Sequence, residues 1–176
     1  MDVTEMLTAR PVRVRLSQAE YFLSQYRIHC SAQNHAKGLN IAYFDAFLFS
    51  VASLVDLASP EETLFLANCH RFQFFVAIRN LSAHHSIPAA KITGAKFPRV
   101  FYKISADAGV GATEFLFNHQ ELRDVFDGVA RIFSRSGKNL RAACEFLDAH
   151  EKTGKAGVLY LEMAELVADL HMGLKV

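Results

Sequence analysis

One short segment combines side chains that could break a phosphodiester bond without a metal ion: the string RNLSAH, from Arg79 to His84. A histidine is both an acid and a base near neutral pH, so His84 can accept the proton of a ribose 2′-hydroxyl or protonate a leaving 5′-oxygen. The guanidinium of Arg79 is permanently charged, and its planar fork matches a phosphate. Asn80 can orient the imidazole or bind the sugar. These residue types indicate RNA cleavage by acid–base catalysis.

The spacing of these residues on a helix limits how one copy of the segment can act. Asn80 and His84 are four residues apart and therefore share a face. Arg79 is about 7.5 Å from His84 along the helix axis and about 140° away around it. A bent arginine stem, or a second copy of the segment, can bring both groups to one phosphate. The structural alternative is that the arginine and the histidine only cap carbonyls and interact with the helix dipole.

The chain around this segment lacks acidic residues, although the formal net charge is only +1. No Asp or Glu occurs from Thr63 to Ala106. The cations of this stretch are Arg71, Arg79, Lys91, Lys96, Arg99 and Lys103. A local basic field can hold a polyanion even when the total charge is near zero, so the last four are predicted to bind RNA. The alternative is that they are solvated surface charges.

The composition is that of a folded protein. A chain of 176 residues is long enough to bury a core, and 51% hydrophobic residues with 15 Phe exclude a disordered chain. The longest charge-free apolar run, between Asp45 and Asp56, is too short for a membrane helix, which needs about 20 residues. The N-terminus lacks the basic and apolar blocks of a signal peptide. We predict one domain over residues 1–176, located in the cytoplasm and not bound to a membrane.

The cysteines and histidines give no sign of a disulfide framework or a metal site. The three cysteines, Cys30, Cys69 and Cys144, are odd in number and widely spaced. Six further histidines show no zinc-type spacing: His29, His35, His70, His119, His150 and His171. We predict reduced thiols, no metal and no cofactor.

Two helices are predicted in the N-terminal part. Residues 1–15 show no helical period and are predicted to form a loose arm. Ser17, with Glu20 at the capping-box spacing, is expected to begin a helix that ends at about Ala32. A second helix, at about 39–58, is apolar nearly all round, so we expect neighbours on several of its sides.

The third helix is predicted to carry the segment RNLSAH at its C-terminal end. Ser59 is the expected N-cap, Pro60 occupies the first helical position, and Glu62 lies at the capping-box position. The apolar pattern continues to about His85. Gln73 precedes the asparagine of the segment by seven residues and shares its helix face.

The pattern then changes from helical to alternating and back. The β-prone runs Val100–Ser105 and Thr113–Phe117 predict a small β-hairpin inserted between helices. A long helix is expected at about Gln120–Ala149, with Gly137 as a point where it can break. A last helix, at about Gly157–Gly173, carries one apolar stripe. Its members are Leu159, Met163, Leu166 and Leu170. The predicted fold is mostly α: a bundle of four to six helices with a small inserted hairpin.

The segment from Arg79 to His84 and its position late on an apolar helix resemble the HEPN superfamily (higher eukaryotes and prokaryotes nucleotide-binding domains). The signature of that superfamily is an arginine, a polar residue, three further residues and a histidine. The resemblance implies an HEPN-like bundle that forms a homodimer, with the two motifs facing each other across a cleft. It also implies metal-independent endoribonuclease activity, in which Arg79 and His84 are catalytic and Asn80 supports them.

The resemblance further implies a biological setting. Many such proteins are toxins of toxin–antitoxin or phage-defence systems, some with a nucleotidyltransferase-type antitoxin that modifies a tyrosine two residues after the histidine. Here that position is Ser86, so this part of the pattern is missing. Other members are non-catalytic, which leaves an alternative function: a silent dimer that binds RNA, a nucleotide or an antitoxin.

Overall fold

The computed structural model describes residues 10–31, 39–81, 101–105, 113–132, 137–155 and 157–174, and within these ranges the protein is mostly helical, as predicted. Seven helices lie in the described ranges. They are α1 (Pro11–Ser31), α2 (Leu39–Ala52), α3 (Pro60–Asn68), α4 (His70–Asn80), α5 (His119–Ile132), α6 (Gly137–Lys152) and α7 (Leu159–Gly173). The prediction of four to six helices was therefore too low.

Two short strands lie between α4 and α5, where the sequence has its β-prone runs. Strand β1 (Phe101–Ser105) pairs antiparallel with β2 (Thr113–Phe117). Phe101 lies opposite Phe117, and Ser105 lies opposite Thr113. The residues that join the two strands are outside the described ranges.

Helix α4 lies at the centre of the bundle, where it contacts α2, α3, α6 and α7. All residues from Phe72 to Ile78 are buried, so this helix has no solvent face along two turns. The ring of Phe74 contacts four other phenylalanine rings at centroid distances of 4.7 to 6.3 Å. These rings are Phe75, Phe117, Phe126 and Phe146. Phenylalanine rings from β2, α5 and α6 therefore pack against α4.

The predicted loose arm was wrong in its last residues, because α1 already begins at Pro11. Val12, Leu16 and Ala19 are buried at the spacing i, i+4, i+7, which is one face of a helix. The alternation of valine and arginine at residues 12–15 hid this period. Ser17 therefore lies inside the helix and not at its N-cap. Residues 1–9 are outside the described ranges.

The second predicted helix ends earlier than expected, at Ala52 and not at residue 58. The hydroxyl of Ser50 donates to the carbonyl of Ala46, and that of Ser53 donates to the carbonyl of Ser50. Serine side chains that bond nearby carbonyls compete with the helical pattern. The chain continues through turns to Ala58, whose N–H donates to the carbonyl of Leu54.

The predicted capping box at the start of α3 is confirmed. Ser59 Oγ accepts a hydrogen bond from the N–H of Glu62, and the N–H of Ser59 donates to the Glu62 carboxylate at 2.8 Å. Arg10 also donates to this carboxylate at 2.8 Å. The hydrogen bond from the Ser59 backbone is the main cause that lowers the pKa of Glu62 to about 2, and Arg10 adds to it.

Two stretches that the sequence pattern predicts as single helices each form two helices in the structure. Cys69 is extended, with φ −80° and ψ 97°, and separates α3 from α4, so the third predicted helix does not run unbroken to His85. The long helix predicted at about 120–149 is α5 and α6, and α6 begins at Gly137. Apolar periodicity continues across both breaks because the helices on either side bury their apolar faces in the same core.

The C-terminal part agrees with the sequence pattern. Gly154 has φ +68°, a conformation that favours glycine, and forms the turn between α6 and α7. The four apolar residues of the α7 stripe are all buried in the core of the chain. Helix α7 also contacts α1: the Arg27 guanidinium lies 5.4 Å from the centre of the Tyr160 ring, and Glu20 bonds His171 at 2.5 Å. The first and last helices of the described chain are therefore packed together.

Candidate functional site

The residues Arg79 and Asn80 lie in the last turn of α4. They are half-buried, whereas Ile78 before them and Leu81 after them are fully buried. Arg79 Nη1 donates to Asn80 Oδ1 at 3.1 Å. This bond holds the two side chains together although successive residues of a helix point about 100° apart. The structure thus places a guanidinium and an amide side by side in the last turn of α4.

The other predicted site residues are not brought together by the described structure. His84 lies outside the described ranges, as do Lys91, Lys96 and Arg99. Lys103 belongs to β1, where its backbone is paired with that of Phe115.

Gln73, which shares a helix face with Asn80 in the sequence pattern, has a structural role. Its side chain is buried, and Nε2 donates to the carbonyl of Leu66 at 2.8 Å. The extended Cys69 interrupts the helix, so that this carbonyl needs a side-chain donor. Gln73 therefore stabilises the junction of α3 and α4.

Arg71 does not belong to a basic field that could hold RNA. Its Nε donates to Glu162 at 3.0 Å, and its other nitrogens donate to Glu165 and Asp169 on the same face of α7. Burial alone would lower the pKa of Arg71, but the hydrogen bonds to Glu162 and Asp169 outweigh burial and raise it. The guanidinium is committed to these carboxylates.

The structure shows a polar network in the core that sequence reasoning missed. His119 Nε2 lies 2.8 Å from His150 Nδ1, and His150 Nε2 lies 2.9 Å from Glu162 Oε1. Glu162 continues the chain of contacts to Arg71. Four residues from α4, α5, α6 and α7 are thereby linked across up to 91 positions of sequence.

A sequence signal for this network exists in the apolar stripes. His150 follows Leu140, Ala143 and Leu147 on the buried face of α6, and Glu162 lies beside Leu159 and Met163 on that of α7. A titratable residue at a core position requires a partner. Zinc-type spacing tests only for histidines close in sequence, so it gives no sign of a pair formed by His119 and His150 on two different helices.

An open cavity of about 270 Å³ lies next to this network. Its polar lining includes Arg71, His150, Thr153, Lys155 and Glu162. The described residues contain no group of three or more His, Cys, Asp or Glu that could hold a metal ion.

The two cysteines whose side chains are described, Cys69 and Cys144, are unpaired thiols. Burial raises the pKa of both, and that of Cys144 rises to about 11, with Asp127 adding to the effect. Both thiols are protonated at neutral pH and are therefore poor nucleophiles.

Among the helices in the described ranges, none combines the length and the apolarity that crossing a bilayer requires. The comparisons with known proteins give no match of this chain to a family model, to a curated protein or to a solved structure.

Proposed function

We propose that the protein is a metal-independent endoribonuclease of the HEPN type, in which Arg79, Asn80 and His84 form the active site. The observation that carries this proposal is the position of Arg79 and Asn80. They are hydrogen-bonded to each other in the last turn of α4, directly after the buried segment Phe72–Ile78. The spacing of His84 and the acid-free stretch around it support the same assignment.

The proposed chemistry is an intramolecular phosphoryl transfer. His84 accepts the proton of a ribose 2′-hydroxyl, and the 2′-oxygen attacks the adjacent phosphorus atom. The bond from phosphorus to the 5′-oxygen breaks, and this oxygen takes a proton from a protonated His84, on the same or on the partner chain. The products are a 2′,3′-cyclic phosphate and a 5′-hydroxyl.

Arg79 supplies the electrostatic part of the reaction. A guanidinium donates two parallel hydrogen bonds to a phosphate and stabilises the negative charge that grows in the transition state. Asn80 accepts from Arg79 at 3.1 Å in the free protein, which holds the guanidinium near the end of α4 until RNA binds. The cations Lys91, Lys96, Arg99 and Lys103 are proposed to contact the flanking phosphates.

We further propose that a homodimer is the active form, as the resemblance to HEPN proteins implies. On a continuous helix, residues five positions apart, such as Arg79 and His84, would project about 140° apart, and a second copy would bring both groups to one phosphate. The resemblance of the segment to HEPN proteins supports a role as a toxin or phage-defence component, with an antitoxin as a second partner. Ser86 in place of a tyrosine argues against an antitoxin that acts by modifying that tyrosine.

The test is to incubate the purified protein with total cellular RNA in excess EDTA, next to the double variant Arg79→Ala/His84→Ala. We expect cleavage by the unchanged protein alone, with 2′,3′-cyclic phosphate ends. His85→Ala is the matched control, because it removes the adjacent histidine, which is not part of the HEPN-type motif, and should leave cleavage intact. Equal cleavage by all three proteins would refute the assignment, and no cleavage by any of them would favour a silent binding module.

A further inference from the structure

The contact between His119 and His150 joins the start of α5 to the end of α6. The two rings are nearly parallel, with centroids 5.0 Å apart and an interplanar angle of 25°. His119 Nε2 and His150 Nδ1 are 2.8 Å apart, which is a hydrogen-bond distance. His150 is buried, and His119 is partly exposed.

The number of protons that this contact can hold follows from the third partner. Glu162 is a carboxylate that only accepts, so His150 Nε2, at 2.9 Å from it, carries a proton. In neutral His150 the other nitrogen, Nδ1, is then an acceptor for the Nε2–H of His119. If His150 is charged, its Nδ1–H donates to a neutral His119 instead. One proton lies between the rings in either case, and two protons would place two N–H groups against each other.

Charged groups on the surrounding helices favour the state with a single shared proton. Glu162 of α7 lies 2.9 Å from His150 Nε2, and Arg71 of α4 holds this carboxylate in place. Burial, the neighbouring His150 and Arg123 of α5 all lower the pKa of His119, whereas Glu151 and Glu162 oppose this shift. Lys155 and Glu165 line the cavity on the other side of His150, and Asp148 pairs with Arg123.

The rings of His119 and His150 both pack against Phe117, the last residue of β2. The ring of Phe117 is fully buried, with its centroid 5.2 Å from that of His119 and 5.7 Å from that of His150. The N–H of Phe117 donates to the carbonyl of Gly157 at 2.9 Å. A Cβ at Gly157 would lie 2.7 Å from the Phe117 ring, so this ring packs directly on the backbone before α7.

We propose that the His119–His150 pair is a proton-operated latch on the junction between β2 and α5. The latch is closed while the two rings share one proton. It opens when both rings are protonated, because the two cations can no longer bond each other, and the junction then separates from α6 and Gly157. This switch stands apart from the proposed ribonuclease site and does not depend on it.

The experiment is a pH titration of the full chain by NMR, with ¹⁵N-labelled histidine and backbone amides. Because the pKa of His119 is lowered, we titrate from pH 7.5 to well below the ordinary histidine pKa, and over this interval we expect a scalar coupling between the two ring nitrogens that disappears on acidification. Hydrogen exchange of the Phe117 amide, corrected for the intrinsic effect of pH, should rise at least tenfold over the same interval. This measurement on the unchanged protein needs no variant to fold.

Two variants sharpen the result. In His119→Gln, the side-chain amide still donates to His150 but does not titrate, so exchange at Phe117 should stay flat with pH. His70→Gln is the control, since His70 is an exposed histidine opposite the exposed Glu145, and it should behave like the unchanged protein. The latch is refuted if the coupling is absent at neutral pH, if Phe117 stays protected while both rings are charged, or if His119→Gln opens as the unchanged protein does.

Discussion

The side chain of Gln73 donates a 2.8 Å hydrogen bond to the main-chain carbonyl of Leu66, across the break between α3 and α4. A buried carbonyl without a donor costs about 1 to 3 kcal/mol, so this bond makes the break tolerable. The break divides the chain here into two helices, α3 and α4, of which α4 carries the buried segment Phe72–Ile78. A residue that shares a helix face with the predicted active site thus holds the helix that carries the site.

We expect Gln73→Met, which keeps the length of the side chain but removes the donor, to lower the free energy of unfolding by about 1 to 3 kcal/mol. The matched control is Asn68→Ala. Asn68 makes the same kind of bond, 2.9 Å to the carbonyl of Leu64, but at the surface, where water replaces it. Its loss should cost less than about 0.5 kcal/mol. Urea denaturation of both variants measures the difference, and equal losses would contradict a buried role for Gln73.

The sequence predicts a helix start at both Ser17 and Ser59. The structure has a helix start at Ser59, whereas Ser17 lies inside α1. Ser59→Ala removes an N-cap and should cost about 1 kcal/mol. Ser17→Ala, inside α1, should be neutral or slightly stabilising, because alanine has the higher helix propensity. Thermal unfolding of the two variants distinguishes these positions. A loss at Ser17 as large as that at Ser59 would mean that α1 begins where the capping-box pattern predicted.

The difference between these serines shows what the sequence could and could not predict. Ser59 is followed by Pro60 and two glutamates, a local pattern that is sufficient by itself. Ser17 and Glu20 have the same spacing, but Val12 and Leu16 before them are buried by α1's neighbours, and only the tertiary structure reveals this. The break at Cys69 was not predicted, because it depends on the hydrogen bond from Gln73 to the carbonyl of Leu66. The sequence does identify Gly137 as a point where the longer helix can break, and α6 begins there.

Glu62 should make stability depend on pH in the acid range. Its pKa is lowered to about 2 from an ordinary value of 4.5, so its stabilising effect is complete above pH 4.5 and is lost as the pH falls toward 2. We expect about 1 to 2 kcal/mol, because Arg10 is half exposed and screened by solvent. Denaturation of the unchanged protein and Glu62→Gln at pH 7 and pH 3 measures this. The gap between them should narrow at pH 3, and a constant gap would exclude this explanation.

Arg71 should matter for stability and not for RNA. Arg71→Met leaves the buried Glu162 without its cation and should cost about 3 kcal/mol. The double variant Arg71→Met/Glu162→Gln should recover at least half of this loss. Arg123→Met is the matched control, because its partners Asp148 and Glu151 are more than half exposed, and it should cost less than about 1 kcal/mol. Chemical denaturation provides all three values, and additive losses in the double variant would rule out the pairing.

The proximity of Arg79 and Asn80 could be predicted from the sequence, whereas the core network could not. Arg79 and Asn80 are neighbours in sequence, and a single helix is enough to place them together. His119, His150, Glu162 and Arg71 come from four helices, so no spacing rule relates them. The acid-free stretch also misled at one point, because Arg71 meets carboxylates supplied about 90 residues later.

For the proposed ribonuclease, Arg79→Ala should lower the cleavage rate by about 10² to 10³, the usual effect of removing a group that stabilises transition-state charge. Arg79→Lys should restore only part of it, since an ammonium cannot form two parallel bonds to a phosphate. Single-turnover cleavage rates at one salt concentration measure this. A fully active lysine variant would mean that Arg79 acts only as a charge.

The proposed RNA-binding cations predict a salt effect. Each change of Lys91, Lys96, Arg99 or Lys103 to Gln should reduce the slope of log affinity against log salt by about one. Lys152→Gln, at an exposed position of α6, is the control and should leave the slope unchanged. Filter binding across a range of salt concentrations measures the slopes. Unchanged slopes for all four variants would move the RNA-binding surface elsewhere.

Because α1 packs against α7, the fold cannot be completed until the C-terminal helix has been synthesised. Glu20 and His171 are 151 residues apart, and ribosomes add about 5 to 20 residues per second. Helix α1 therefore waits about 8 to 30 s for its partner after it has been made. Until then the apolar face of α1 and the core around α4 are incomplete, so a nascent chain on the ribosome cannot carry a finished site. For the proposed ribonuclease, this delay would protect the message from which it is being translated.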